Sequence, residues 1–170
     1  RPPVMGDRLR HVLRAVQPDI VHVHNLLNLS FDLPALARAA GVKVHPVTRR
    51  GTSARLVALV DRTGQRSFIT DRGVADDLPR SGLKTSWVRG IDVLHLPAYS
   101  LLGQPIGAAA LRAVKIARDH GALVSIDLAS RRPLLDAGRA AVKAALAEAA
   151  PDVLLANLDE ADAVVGRRQL

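Results

Sequence analysis

The 170-residue sequence contains no cysteine, which excludes disulfides, thiolate nucleophiles and cysteine-ligated metals and fits a reducing cytoplasm. Aromatic residues make up only 2% of the chain, so almost no ring is available for a nucleobase to stack on. Lysine occurs only at Lys43, Lys84, Lys115 and Lys143. The net charge of +8 is therefore largely arginine, spread along the chain rather than packed into one stripe, and no nucleic-acid partner is expected. No apolar run approaches the roughly 20 residues that span a bilayer, so no membrane partner is expected either. The opening Arg1-Pro-Pro-Val-Met5 lacks an initiator Met and the charged-then-apolar order of a secretory signal, so the chain reads as processed or cut from something longer. Walker A, nucleophile-elbow, HExxH and GxGxxG motifs are absent, which excludes phosphate cradles of those kinds.

What remains is 48% hydrophobic, the composition of a folded domain with a real core. From residue 92 onward the pattern is regular. Short apolar strands centred on Leu94, Val124 and Leu154 recur every 30 residues. Between them lie a helical stretch over 104–120, with Ile106, Ala109, Ala110, Ala113, Val114 and Ala117 on one face, and a second over 133–149. Gly121 and Pro151 are fitting stops. A period of about 30 residues is that of a βαβ unit, so the strands should be parallel. The fold class is α/β: a parallel sheet flanked by helices, with a protruding hairpin. Residues 53–60 and 65–70 form that hairpin, joined by Asp61-Arg-Thr-Gly64, which suits a type I turn. Upstream, residues 7–16 read as a basic amphipathic helix and 19–23 as a strand. Residues 33–40 read as a helix capped by Asp32, with Pro34 in its first turn and Gly41 past its end, and 42–47 as extended.

Two stretches carry resemblances. Gln17-Pro-Asp-Ile-Val-His-Val-His-Asn-Leu-Leu27, continuing to Ala39-Ala-Gly-Val42, is similar to the N-terminal domain of family 4 GT-B glycosyltransferases. The run His45-Pro-Val-Thr-Arg-Arg-Gly-Thr-Ser-Ala-Arg-Leu-Val-Ala-Leu-Val-Asp-Arg-Thr-Gly-Gln-Arg-Ser-Phe-Ile-Thr-Asp-Arg-Gly73 resembles the lid hairpin of PfkB/ribokinase-type carbohydrate kinases. Val93-Leu-His-Leu-Pro-Ala-Tyr-Ser-Leu-Leu102, Val124-Ser-Ile-Asp-Leu-Ala-Ser130 and Val153-Leu-Leu-Ala-Asn-Leu-Asp-Glu-Ala-Asp162 follow in that family's order. The division expected is residues 1–43 as a glycosyltransferase-like βα segment and 44–170 as a partial ribokinase-like domain.

The kinase resemblance implies ATP and Mg²⁺ as cofactors, a sugar or nucleoside as substrate, and a homodimer through the lid hairpin. It places Thr52 among substrate-facing lid residues. It puts Asp127 and Arg131 beside the substrate, although Leu128 and Ala129 stand where some relatives carry Pro and Asn. Asn157 and Glu160 match its Asn-x-x-Glu element on the Mg²⁺ and phosphate side. The family's N-terminal glycine-rich segment and its Gly-Ala-Gly-Asp motif, source of the catalytic base, do not occur in these 170 residues. The chain is therefore expected to be a fragment of a sugar kinase, inactive alone, with no catalytic residue assigned. A glycosyltransferase fragment or a non-catalytic chimeric module is the alternative.

Plainer roles compete for the same residues. Asn157 with Glu160 three residues on is also a helix capping box. Asp127 and Arg131 suit a loop ion pair or a helix-start charge. Thr52 and Ser53 at one strand end, and Asp71-Arg-Gly73 at the other, suit turn chemistry. His22 and His24 share a strand face but lack further ligands for zinc. His95 reads as a packed or hydrogen-bonded core side chain.

Overall fold

The computed structural model describes residue 14 and residues 33–60, 62 and 66–166. The histidines at 22 and 24, the Asp32 cap, the first strand and most of the hairpin turn lie outside the described residues. The chain divides into two compact units, residues 1–75 and 76–170.

In the first unit, helix α1 (Leu33–Ala39) ends where Gly41 takes a positive φ of 85°. That turn lets the Val42 amide reach back to the Ala37 carbonyl at 3.0 Å. Residues 42–47, read as extended, are neither helix nor part of a strand ladder among the described residues. Strands β1 (Arg55–Val60) and β2 (Arg66–Asp71) pair antiparallel, with Val57 opposite Ile69 and Ala58 opposite Phe68. This hairpin is its own two-stranded sheet. Gly51 and Gly73 shape its foot: both have positive φ, and a Cβ would drive into Val74 at the first and into the Thr52 carbonyl at the second.

In the second unit, β3 (Val93–Pro97), β4 (Leu123–Asp127) and β5 (Val153–Leu155) form a parallel sheet in the order β3-β4-β5. The register sets Leu94 against Val124, and Leu96 against Ile126 and Leu154, on one face. Helices α2 (Tyr99–Leu102), α3 (Ile106–Asp119), α4 (Arg131–Ala137), α5 (Arg139–Ala149) and α6 (Leu158–Val165) accompany the strands. The core is where that face meets them: Val124, Ile126, Leu128, Leu134 and Val142 are fully buried, each contributing about 1.5–3 kcal/mol by leaving water. Helix α3 buries Ala109, Ala110, Ala113, Val114 and Ala117, small residues that let it lie close to the sheet, and turns its Lys115–Asp119 pair (2.9 Å) outward. The opposite sheet face keeps Val93, Leu123, Val153 and Leu155 exposed around a hydrogen bond between His95 Nδ1 and Ser125 Oγ at 3.1 Å. His95 is thus bonded as expected but lies at the surface, not in the core.

The helix expected over 133–149 is two helices. Gly138, with φ 82° and ψ 147°, breaks the run into α4 and α5. Ala150 ends α5 in the left-handed region at φ 43°. Arg118, projecting from α3, donates to the Ala149 and Ala150 carbonyls and approaches the Asp152 carboxylate at 3.8 Å. Asp152 in turn accepts the Val124 amide at 2.7 Å. One guanidinium therefore ties a helix C-terminus to the start of two strands, with the charge sign that the helix dipole favours.

Candidate functional site

Parallel sheets collect functional groups at the carboxyl ends of their strands, because the connections there leave a crevice that no helix fills. Here the ends are held level. The Ala98 amide donates to the Asp127 carbonyl at 2.7 Å, and the Leu128 amide to the Leu155 carbonyl at 2.9 Å. Asp127 is the last residue of β4 and partly exposed. Its Oδ1 accepts the Ala129 amide at 2.9 Å, and the Ser130 amide donates to the Leu128 carbonyl at 2.7 Å. This Asx turn holds Ala129 at φ 57°, where a non-glycine residue sits only when its surroundings keep it there. The second carboxylate oxygen of Asp127 has no bond among the described residues.

Adjacent to it, β5 runs into α6 through Asn157. The Asn157 side chain accepts the Glu160 amide at 2.9 Å, and the Glu160 Oε2 accepts the Asn157 amide at 2.9 Å. Both halves of the capping box are thus present, and two otherwise orphaned N–H groups are satisfied. Asp159 and Glu160 in the first turn also complement the helix dipole. Glu160 is 7% exposed while Asn157 lies at the surface, so the pair presents an amide outward over a carboxylate held within.

Arg131 opens α4 and is exposed. It makes no ion pair with Asp127. Instead it lines a shallow depression with Leu135, Arg139, Asp162, Ala163 and Gly166. Its neighbour Arg132 is engaged: its Nε–H donates to Asp136 at 2.9 Å, and that pairing raises the guanidinium pKa. Thr52 belongs to the other unit, where it is exposed and its carbonyl accepts the Val74 amide at 3.0 Å, clamping the foot of the hairpin. Asp127 thus ends β4, and the Asn157–Glu160 box follows the end of the neighbouring β5, while Arg131 makes no ion pair with Asp127.

One contributor was not singled out from the sequence. Arg139 Nε donates to the Ala163 carbonyl at 3.2 Å and its Nη2 to the Asp162 carbonyl at 3.5 Å, so it caps the C-terminus of α6. Gly166, at φ 82°, follows that helix end directly. The signal available was a glycine just past an apolar helical run. Nothing local named the arginine that would reach it. Among the described residues no group of three or more His, Cys, Asp or Glu could hold a metal directly, and no helix is long and apolar enough to cross a membrane.

A three-stranded parallel sheet with helices against it, an N-capped helix at its strand ends and a separate two-stranded hairpin define an α/β protein of the ribokinase-like class. The pfkB family carbohydrate kinase domain matches residues 29–169, and the chain belongs to that family. The match takes in residues 29–42, part of the stretch that also resembles a glycosyltransferase. Among solved structures, the chain is similar to an adenosine kinase from Sinorhizobium meliloti, with a TM-score of 0.61 and 23% identity over 78% of this chain and 41% of that one. It is also similar to a fructokinase from Xylella fastidiosa, with a TM-score of 0.57 and 20% identity over 72% of this chain and 41% of that one. Likeness at these identities concerns the fold alone. The chain spans about two-fifths of the length of these two kinases. No curated protein matches it.

Proposed function

We propose that the chain supplies the lid hairpin and the phosphate-side strand ends of a cytoplasmic kinase that phosphorylates a hydroxyl of a sugar or nucleoside from ATP. The observation that carries this reading is that Asp127 and the Asn157–Glu160 box stand at the carboxyl ends of two paired strands in a pfkB-family chain. Phosphoryl transfer depends on positioning and on stabilising charge more than on covalent help from the protein, and rigid strand ends suit that demand.

The oxygen donors present fit Mg²⁺ only as a hydrated ion. One Glu160 oxygen is taken by the Asn157 amide and no direct ligand cluster exists among the described residues, whereas Mg²⁺ readily keeps most of its waters. Asn157 and Glu160 would hold such an ion through those waters, and the ion would neutralise charge on the phosphates. In this reading Asp127 and Arg131 orient the acceptor, and Thr52 faces it from the lid.

Titration calorimetry with ATP tests the phosphate side. Binding should require Mg²⁺ and should weaken in Glu160→Gln, which keeps the cap geometry but loses the charge. Equal ATP binding with and without Mg²⁺ overturns the reading. The 170 residues taken by themselves should transfer no phosphate, since a positioned base is worth about 10²–10⁴ in rate and the family's base-bearing motif is not among them. With ATP, Mg²⁺ and a panel of sugars and nucleosides, only background ADP is expected. Turnover that vanishes in Asp127→Ala would count against this.

We also propose a homodimer through the hairpin, whose two faces are both apolar. Val57 and Ile69 lie on one face and Phe68 on the other, each more than half exposed. Size-exclusion chromatography with light scattering should show a concentration-dependent dimer that Val57→Lys and Ile69→Lys abolish. A sharp monomer of the unaltered chain at high concentration defeats the proposal.

A further inference from the structure

Residues 76–170 carry 12 basic and 11 acidic side chains, a near balance. One groove within this unit departs from it. The groove, of about 570 Å³, runs along α3 between the 3₁₀ turn Arg80–Gly82 and the end of α5, and it takes four of those bases and two of the acids. The α3 residues that line it run from Ala108 to Asp119 at helical spacing, which is roughly 17 Å of one helix face. Ala108 and Leu111 are half-buried and Val114 is buried, so the floor is apolar. Arg112, Lys115 and Arg118 follow one another every third residue beside it.

The cations of this row are not equally engaged. Arg118 is held by the Ala149 and Ala150 carbonyls, and Lys115 pairs with Asp119 in an exposed bridge that is worth little in water. Arg112 Nη1 donates to the Arg80 carbonyl at 2.8 Å, which fixes the turn against α3 and brings both arginines to the same groove. Beyond that bond, neither guanidinium pairs with a described residue. Glu148, on the α5 side, is exposed and likewise pairs with no described residue. A compact metabolite would leave most of so long a floor in water. A stretch of polypeptide covers it.

We propose that the α3 groove docks an acidic amphipathic segment of another protein chain, with apolar side chains on Ala108 and Leu111 and carboxylates on Arg80 and Arg112. This goes beyond the kinase reading and does not rest on it. The fit is one of charge over an apolar seat. Guanidiniums donate fork to fork to carboxylates, and a helix laid in a groove meets it with residues three and four apart. Glu148 lies near the C-terminal end of α3 and repels acids there, so the segment sets its acidic end toward Arg80 and Arg112.

Fluorescence anisotropy of labelled synthetic peptides on the 170-residue chain tests this. The probes are Glu-Leu-Leu-Glu repeated three times, the same pattern with Lys in place of Glu, and the same pattern with Ser in place of Leu. The Glu/Leu peptide should bind, and the other two should bind roughly tenfold or more weakly. Arg80→Glu should weaken the Glu/Leu peptide by about the same factor without lowering the melting temperature, because that side chain is exposed and supports no bond of the fold. Arg112→Glu should do the same, and the double variant should now prefer the Lys/Leu peptide. Lys143→Glu, on an exposed position outside the groove, should leave binding within about twofold. An equal loss in Lys143→Glu overturns the proposal by reducing the effect to general charge. Equal binding of the Glu/Ser peptide overturns the apolar seat, and unchanged binding in Arg80→Glu or no binding of the Glu/Leu peptide overturns the site.

Discussion

The hairpin of residues 55–71 and the βα region of residues 93–165 both draw on Val, Leu and Ile, yet they dispose of those side chains in opposite ways. In the hairpin Val57 and Ile69 remain 54% and 64% exposed, whereas Val124 and Ile126 in β4 are inaccessible. A two-stranded ladder has two faces and, by itself, no layer to cover either. The period of 30 residues brings a helix back across each strand and supplies that layer. Apolar content therefore marks stability in one region and an available surface in the other.

The sharpest way to break this comparison is to delete equal side chains from both. Leu134→Ala should cost about 2–5 kcal/mol, because the cavity lies in the closed core. Ile69→Ala in the hairpin should cost less than about 0.5 kcal/mol at concentrations low enough to keep the chain monomeric, since the side chain is then largely in water. Denaturant melts of the two variants, read at one wavelength, settle the difference. A large loss from Ile69→Ala in the monomeric chain would mean that its own chain covers the hairpin.

The next largest effect falls at the strand ends. Asn157→Ala should lower stability by about 0.5–2 kcal/mol, while Asn157→Ser and Asn157→Asp should keep most of it. Thermal melts of the three variants give the answer. Ala150 offers a smaller effect of opposite sign. Its left-handed φ of 43° costs an alanine more than a glycine, so Ala150→Gly should raise stability by about 0.5 kcal/mol, visible as a higher melting temperature. Smallest of all is the exposed Lys115–Asp119 pair on α3. Lys115→Ala should change stability by about 0.3–0.5 kcal/mol or less, and added salt should erase the difference.

Much of the fold was legible because its signals are local. Apolar positions at helical spacing named the buried side of α3, and Gly121 marked its end. The Asn157–Glu160 box was legible for the same reason: both bonds join residues three apart on one chain segment. The division of residues 131–149 into two helices was less so, since a glycine inside an apolar helical pattern is tolerated as often as it breaks one.

From the sequence alone came the α/β class, the parallel order of the three strands, the separate hairpin and the residues at the strand ends. Each depends on spacings that the chain carries within about 30 residues. Only the tertiary structure decided that Asp71 accepts from the Gly73 amide and that Arg131 lines a depression with Arg139 and Asp162 rather than pairing with Asp127. It also decided that Arg118 and Arg139 satisfy helix carbonyls 32 and 24 residues downstream. A flexible arginine can reach many partners, and which one it meets depends on where packing sets the helix axes, a quantity no local pattern contains.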